Sequence, residues 1–201
     1  FIGDLGVTED RIVAVGNLDN TTADNVIDAH GKAVSPGFIN MIGWGVTSLI
    51  TDGRGLSDIT QGITLEVFGE GNSMGPLSPN MKTEFPKYWD EIQPQWTSLG
   101  EYLEFLETKG VAPNVASFIG ATTPRIHVLG QDDVDPTPEQ LQQMQELVRE
   151  AMREGAVGVA SSLIYTPASF AETAELIALA KAAAEYDGIY ASHLRNEGKQ
   201  I

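Results

Sequence analysis

The sequence predicts an α/β protein, with parallel strands joined by helical crossovers and a small β-unit in front. Three observations carry this. Residues 1–35 hold strand-like runs and turn residues but no strong helix. From Pro36 onward, apolar strand candidates alternate with helical stretches. Those stretches bring their own start and stop signals. Such alternation implies parallel strands with right-handed crossovers.

In the front unit, residues 4–7 and 11–15 flank Thr8-Glu9-Asp10 and read as a hairpin. Residues 25–29 and 32–35 flank His30-Gly31, a second turn, which leaves His30 with no functional weight. So small a core is not stable alone. Residues 1–35 are therefore assigned as an accessory portion and residues 36–201 as the main domain. The strand candidates of the main domain are 38–42, 63–69, 115–120, 157–162 and 189–193. A weak helix is expected over 52–61. A better one covers 98–107, starting at Ser98 and stopped by Gly110.

The strongest helix signal covers 138–154. Thr137 can cap it, Pro138 suits its first turn, Gln140 completes a capping box and Gly155 ends it. Its apolar residues Leu141, Met144, Leu147, Val148 and Ala151 recur at helical spacing. A last helix over 173–186 is expected to bury Leu176, Ile177, Leu179, Ala180 and Ala183. The stretch 71–97 is long for a βα connection, and loops of that length are often functional. Five parallel strands fit an open doubly wound sheet or part of a (β/α)₈ barrel. A complete barrel takes about 250 residues, more than 37–201 supplies. With Phe1 opening inside a strand-like run and a further helix barely begun at Ile201 after the fifth strand, an incomplete chain is expected.

Composition removes several partners. With 28 acidic against 12 basic residues and a formal net charge of -16, the chain is repelled by nucleic acid and by anionic membranes. No apolar run reaches the roughly 18 residues of a membrane helix. The absence of cysteine excludes disulfides and Cys-type zinc sites. It leaves the compartment open, with the cytoplasm as the first expectation. Oligomeric state is not legible.

Barrel active sites lie at the carboxyl ends of the strands. Those ends read Asn40-Met41-Ile42-Gly43-Trp44, Phe68-Gly69-Glu70-Gly71, Gly120-Ala121-Thr122-Thr123-Pro124-Arg125, Ser161-Ser162-Leu163-Ile164-Tyr165 and Ser192-His193-Leu194-Arg195-Asn196-Glu197-Gly198. Polar, ionisable and small residues gather there. By strand alternation Glu66, Phe68 and Glu70 share one face, and Glu66, the deepest, is expected to partner a buried base. His127 is expected in a loop after the third strand.

Several of these segments resemble the amidohydrolase superfamily. Pro36-Gly37-Phe38-Ile39-Asn40 is similar to the Pro-Gly-Phe-Ile-Asp signature that opens the barrel of cyclic amidases and deacylases, and Gln61-Gly62-Ile63-Thr64 to their Gln-Gly-Val-Thr. Gly155-Ala156-Val157-Gly158, Leu163-Ile164-Tyr165-Thr166-Pro167 and Tyr190-Ala191-Ser192-His193-Leu194-Arg195-Asn196-Glu197-Gly198 resemble the N-acyl-D-amino-acid deacylases in particular. The resemblance covers nearly the whole chain. It implies a partial (β/α)₈ barrel of about five strands, preceded by part of an accessory β-sandwich.

It also implies a site. The family's His-x-His pair after the first strand is replaced by Ile42 and Trp44, neither of which can ligate zinc. Counted back from Gly75-Pro76, the family's bridging cysteine falls on Glu70, a sound zinc ligand in its own right. His193 matches the ligand after the fifth strand. One zinc ion is therefore implied, held by Glu70, His193 and a histidine beyond Ile201, with an acid-base aspartate also beyond Ile201. Tyr165 resembles the tyrosine that holds the substrate carboxylate, and Ser162 joins it as a substrate-binding candidate. Arg195 is either a carboxylate clamp or an ion-pair partner of Glu197. The implied activity is zinc-dependent hydrolysis of the amide bond in N-acyl amino acids, N-acyl-D-amino acids among them. The alternatives are another amidohydrolase, such as a dipeptidase or cyclic amidase, and a non-catalytic homologue that binds a ligand or partner.

Overall fold

The computed structural model describes residues 2–89 and 92–198. Its contacts divide the chain into two units, Phe1–Pro36 and Gly37–Ile201. The first unit holds an antiparallel pair, β1 (Asp4–Thr8) and β2 (Arg11–Gly16), with a register shift at Gly6/Val7. The second predicted turn is present as a bond from Lys32 N–H to the Ala29 carbonyl, 2.9 Å. Its flanks are not strands, because both run without a pairing partner among the described residues.

The second unit alternates strands and helices: β3 (Phe38–Asn40), α1 (Ser48–Thr51), α2 (Leu56–Ile59), β4 (Ile63–Phe68), α3 (Pro79–Tyr88), α4 (Leu99–Lys109), β5 (Asn114–Ser117), β6 (Ile119–Gly120), α5 (Thr122–Leu129), α6 (Pro138–Arg153), β7 (Gly158–Ser162), α7 (Thr173–Ala184) and β8 (Ile189–His193). All pairings are parallel and follow chain order, β3-β4-β5 and β6-β7-β8. The expected third strand is broken at Phe118, where the chain changes partner from β4 to β7. Of the weak helix expected over 52–61 only the short α2 forms, and another short helix, α1, precedes that stretch.

Strand alternation separates two faces. Phe68, Ile119 and Val159 join the main core with Leu99, Tyr102 and Leu106 of α4, Met144 and Val148 of α6 and Leu179 of α7. Their neighbours Val67, Phe118 and Ala160 form a second, smaller cluster on the other face. The capping box of α6 is present: Gln140 N–H donates to Thr137 Oγ1 at 3.3 Å, and Thr137 N–H to Gln140 Oε1 at 2.9 Å. Helix α4 carries the same device between Ser98 and Glu101 and stops at Gly110.

Three expectations change here. The stretch 71–97 contains α3, capped by Ser78 with Pro79 in its first turn. It is anchored by Trp96, whose indole N–H donates to the Met74 carbonyl at 2.6 Å within the main core. His127 sits not in a loop but in the last turn of α5, its Nδ1 3.4 Å from the Pro76 carbonyl. Ile177 is 48% exposed. The buried side of α7 is Glu175, Leu179, Ala182 and Ala183, a set spaced by helical turns that points residue 177 away.

Glu175 is buried because it meets Arg125 of α5. Nη1 lies 2.6 Å from Glu175 Oε2, with side-chain exposures of 1% and 2%, and Nη2 donates to the Val134 carbonyl at 2.7 Å. Burial pushes the Glu175 carboxyl up against the pull of Arg125.

Candidate active site

Glu66 and Glu70 do not share a face. Glu66 follows Phe68 to the helix-covered side, where its Oε2 accepts from Asn40 Nδ2 at 3.1 Å. It also shares a hydrogen bond with Asp58 of α2. The expected basic partner is absent from this set. Burial first, then the facing Asp58 carboxyl, raises the Glu66 pKa to about 7. Two carboxyls can share a hydrogen bond only if one keeps its proton. Because the folded-state pKa lies above the unfolded value, this contribution to stability is complete below about pH 4.5. It is lost as pH rises through about 7. Glu66→Gln is therefore expected to flatten most of the stability loss between pH 5 and 8. Urea midpoints of both proteins across that range check this, and parallel curves would count against it.

Glu70 reaches the other side because the strand alternation ends at Gly69 (φ 95°). Gly69 and Gly71 let the chain thread closely past its neighbours. A Cβ on Gly69 would lie 2.2 Å from the Phe118 carbonyl oxygen, and one on Gly71 would lie 2.6 Å from Ser162 Cβ. Bonds from Gly71 N–H to the Ala160 carbonyl (3.3 Å) and from Thr122 N–H to the Gly71 carbonyl (2.9 Å) fix the segment against the ends of β6 and β7.

This brings Glu70 to His193, the last residue of β8. Glu70 Oε1 lies 3.3 Å from His193 Nδ1. On the far side of the ring, Nε2 lies 2.8 Å from Glu197 Oε1. The Tyr165 ring packs edge-on against the imidazole, centroids 5.8 Å apart at 85°. A cleft of about 380 Å³ opens between them, lined by Trp44, Glu70, Thr122, Ser162, Tyr165 and His193 among others. Trp44 is 51% and Tyr165 58% exposed. The hydroxyls of Ser162 and Thr122 are buried and have no hydrogen-bond partner among the described residues. Buried polar groups are rarely left so, and here both belong to residues lining the cleft. Thr122 was not singled out from the sequence. Its one signal there was a place just after the third strand.

Arg195 meets neither expectation. Nη1 donates to the Ser169 carbonyl at 2.9 Å, and Nη2 to the Ala171 carbonyl. Its guanidinium ties the chain after β8 to the short 3₁₀ turn Ala168–Phe170, and Glu197 pairs with His193 instead. At the end of β3, Ile42 and Trp44 are exposed, and Trp44 stacks on Trp89 at 6.5 Å.

A larger cleft, about 580 Å³, runs beside α4 and the amino end of β5. Two of its carboxylates are engaged: Glu101 caps α4, and Glu154 accepts from Gly100 N–H at 2.8 Å. The convergent chemistry lies at the other end of the strands.

The donor pair fits zinc. Bonds of about 2.0–2.1 Å at tetrahedral angles place two ligand atoms roughly 3.3–3.4 Å apart, the observed Glu70–His193 spacing. Two donors are half such a set, and among the described residues no group of three or more His, Cys, Asp or Glu could hold a metal. No helix among them is long and apolar enough to cross a membrane.

No family model matches the chain. It is 33% identical over 200 residues to a D-aminoacylase of Alcaligenes xylosoxydans xylosoxydans, covering 98% of this chain and 41% of that protein. A structure concerned with the binuclear metal centre of D-aminoacylase, with one-metal activation and second-metal attenuation, superposes with a TM-score of 0.86 at 32% identity, over 100% of this chain and 43% of that one. An N-acyl-D-glutamate deacylase from Bordetella bronchiseptica, complexed with zinc and a phosphonate mimic of the tetrahedral intermediate, superposes at 0.81 with 31% identity, over 98% and 42%. The chain spans about two fifths of the length of these relatives.

Proposed function

Because the chain belongs with the D-aminoacylases and N-acyl-D-glutamate deacylases of the amidohydrolase superfamily, we propose that the whole protein hydrolyses the amide bond of N-acyl amino acids, the D-enantiomers foremost. In this reading the parallel strands are part of a (β/α)₈ barrel, and the front hairpin belongs to an accessory β-sandwich. The observation that supports it most is the meeting of Glu70 and His193 at two strand ends, 3.3 Å apart, in a cleft of small-molecule size.

Glu70 and His193 would hold one zinc ion, with the remaining donors and the acid-base group supplied by parts of the whole protein outside these residues. Bound there, zinc polarises an amide carbonyl and acidifies a water. The chain's own residues hold and orient the substrate. Tyr165 offers its hydroxyl to the substrate carboxylate at the mouth of the cleft. Ser162 and Thr122, whose hydroxyls lack partners among the described residues, hydrogen-bond its polar atoms deeper in. Ile42 and Trp44 bring no donor to the end of β3, which favours one ion over two. The same two residues favour the second reading, a homologue that keeps the fold without the chemistry. A full-length protein free of zinc would establish that reading.

Tyr165→Phe tests the substrate side. It keeps the ring against His193 and removes the hydroxyl. In the full-length enzyme, kcat/KM for an N-acyl amino acid is expected to fall by roughly 1.5–3 kcal/mol, the size of a hydrogen bond to a charged group, with zinc content unchanged. Amidating the substrate carboxylate should cost the wild type much and the Phe variant little more. Equal losses on both substrates would show that Tyr165 does not read the carboxylate.

A further inference from the structure

Glu197 is 68% exposed in its side chain, yet its carboxylate lies 2.8 Å from Nε2 of the half-buried His193 ring. The loop that carries it is shaped locally: Gly198 N–H donates to Asn196 Oδ1 at 2.6 Å. We propose that Glu197 is a positioning residue: it fixes His193 in the tautomer that keeps its proton on Nε2, and so aims the Nδ1 lone pair at Glu70. This rests on the zinc reading above and adds a residue to it.

A neutral imidazole carries one N–H and one lone pair. An ionised carboxylate can only accept, so the short contact to Glu197 claims the proton for Nε2. Nδ1 faces a Glu70 oxygen at 3.3 Å, and that contact is favourable only with positive charge between the two atoms: a second ring proton in the absence of metal, the zinc ion in its presence. The Tyr165 ring, edge-on to the imidazole, holds the ring plane, and Glu197 sets which nitrogen is free. A carboxylate on the far nitrogen of a ligating histidine also raises the basicity of the ligating one.

The test uses the full-length protein with Glu197→Ala and Glu197→Gln. Zinc affinity, read by competition against a chelator, is expected to fall about 10–100-fold in the Ala variant. The Gln variant should lie between, because its amide oxygen still accepts from Nε2–H without the charge. A second reading needs no metal. Two-bond ¹H–¹⁵N spectra of the zinc-free wild type, at a pH high enough for the ring to be neutral, should show His193 protonated on Nε2 alone, and the Ala variant should show a mixture of tautomers. A neutral wild-type His193 protonated on Nδ1 overturns the proposal. So does an Ala variant that binds zinc as tightly as the wild type. A wild type that takes up no zinc at all overturns the zinc reading, and this inference with it.

Discussion

His193→Ala in the full-length protein is expected to abolish zinc binding and, for the proposed hydrolysis of N-acyl amino acids, to lower kcat/KM on the order of 10³-fold or more. The imidazole is proposed as one of the few donors to the ion. Losing it removes carbonyl polarisation and water activation together, and each thousandfold corresponds to about 4 kcal/mol of barrier. Elemental analysis should find one zinc per wild-type chain and none in the variant. Two tightly held metals in the wild type would mean that a second position draws its donors from elsewhere than Ile42 and Trp44. Full activity of the variant would remove His193 from the chemistry altogether.

The largest effect on stability is expected from Arg125→Met. The substitution leaves Glu175 buried without its guanidinium, and stripping one partner from a buried ion pair costs about 3–5 kcal/mol. Glu175 already carries an upward pKa shift from burial, so the orphaned carboxyl should take up a proton to survive inside. Arg125→Met with Glu175→Leu removes both charges and should recover most of the loss, since an apolar pair of similar size is often neutral or better. Denaturant unfolding of these two variants, of Glu175→Leu alone and of the wild type gives the coupling directly. If the double variant is as unstable as the single one, packing rather than charge explains the site.

What the sequence shows and what it hides follow from the range of the interactions. Helix α6 was legible because its signals are local: Thr137, Pro138 and Gln140 sit within one turn. Helix α3 was not, although Ser78-Pro79 is the same kind of start. Pro86 lies inside it, and its anchors Phe85 and Trp89 find their partners at Trp96 and Trp44. Helix α5 opens with Thr122, Thr123 and Pro124, poor helix formers. Contacts distant in sequence, Arg125 to Glu175 among them, outweigh that preference.

In the site, motif resemblance singled out Glu70, His193 and Tyr165, and the fold brings all three to one cleft. Alternation alone misplaced Glu70, because a positive φ at Gly69 cannot be read from a run of apolar residues. The contacts of Arg195 were illegible for a different reason. Its partners are main-chain carbonyls, which leave no trace in side-chain patterns.

The aromatic contacts have an optical consequence. The 201 residues hold three tryptophans, and ring contacts link them in one path: Trp44 to Trp89 at 6.5 Å, Trp89 to Phe85 at 5.9 Å, and Phe85 to Trp96 at 5.9 Å. One end of the path is the cleft wall and the other is the buried indole of the main core. Excitation absorbed anywhere along it can migrate between indoles at these separations. The intrinsic fluorescence of this segment is thus a native dye at the mouth of the cleft. A molecule that settles against Trp44 will alter the emission of all three, and its arrival can be timed without attaching a label.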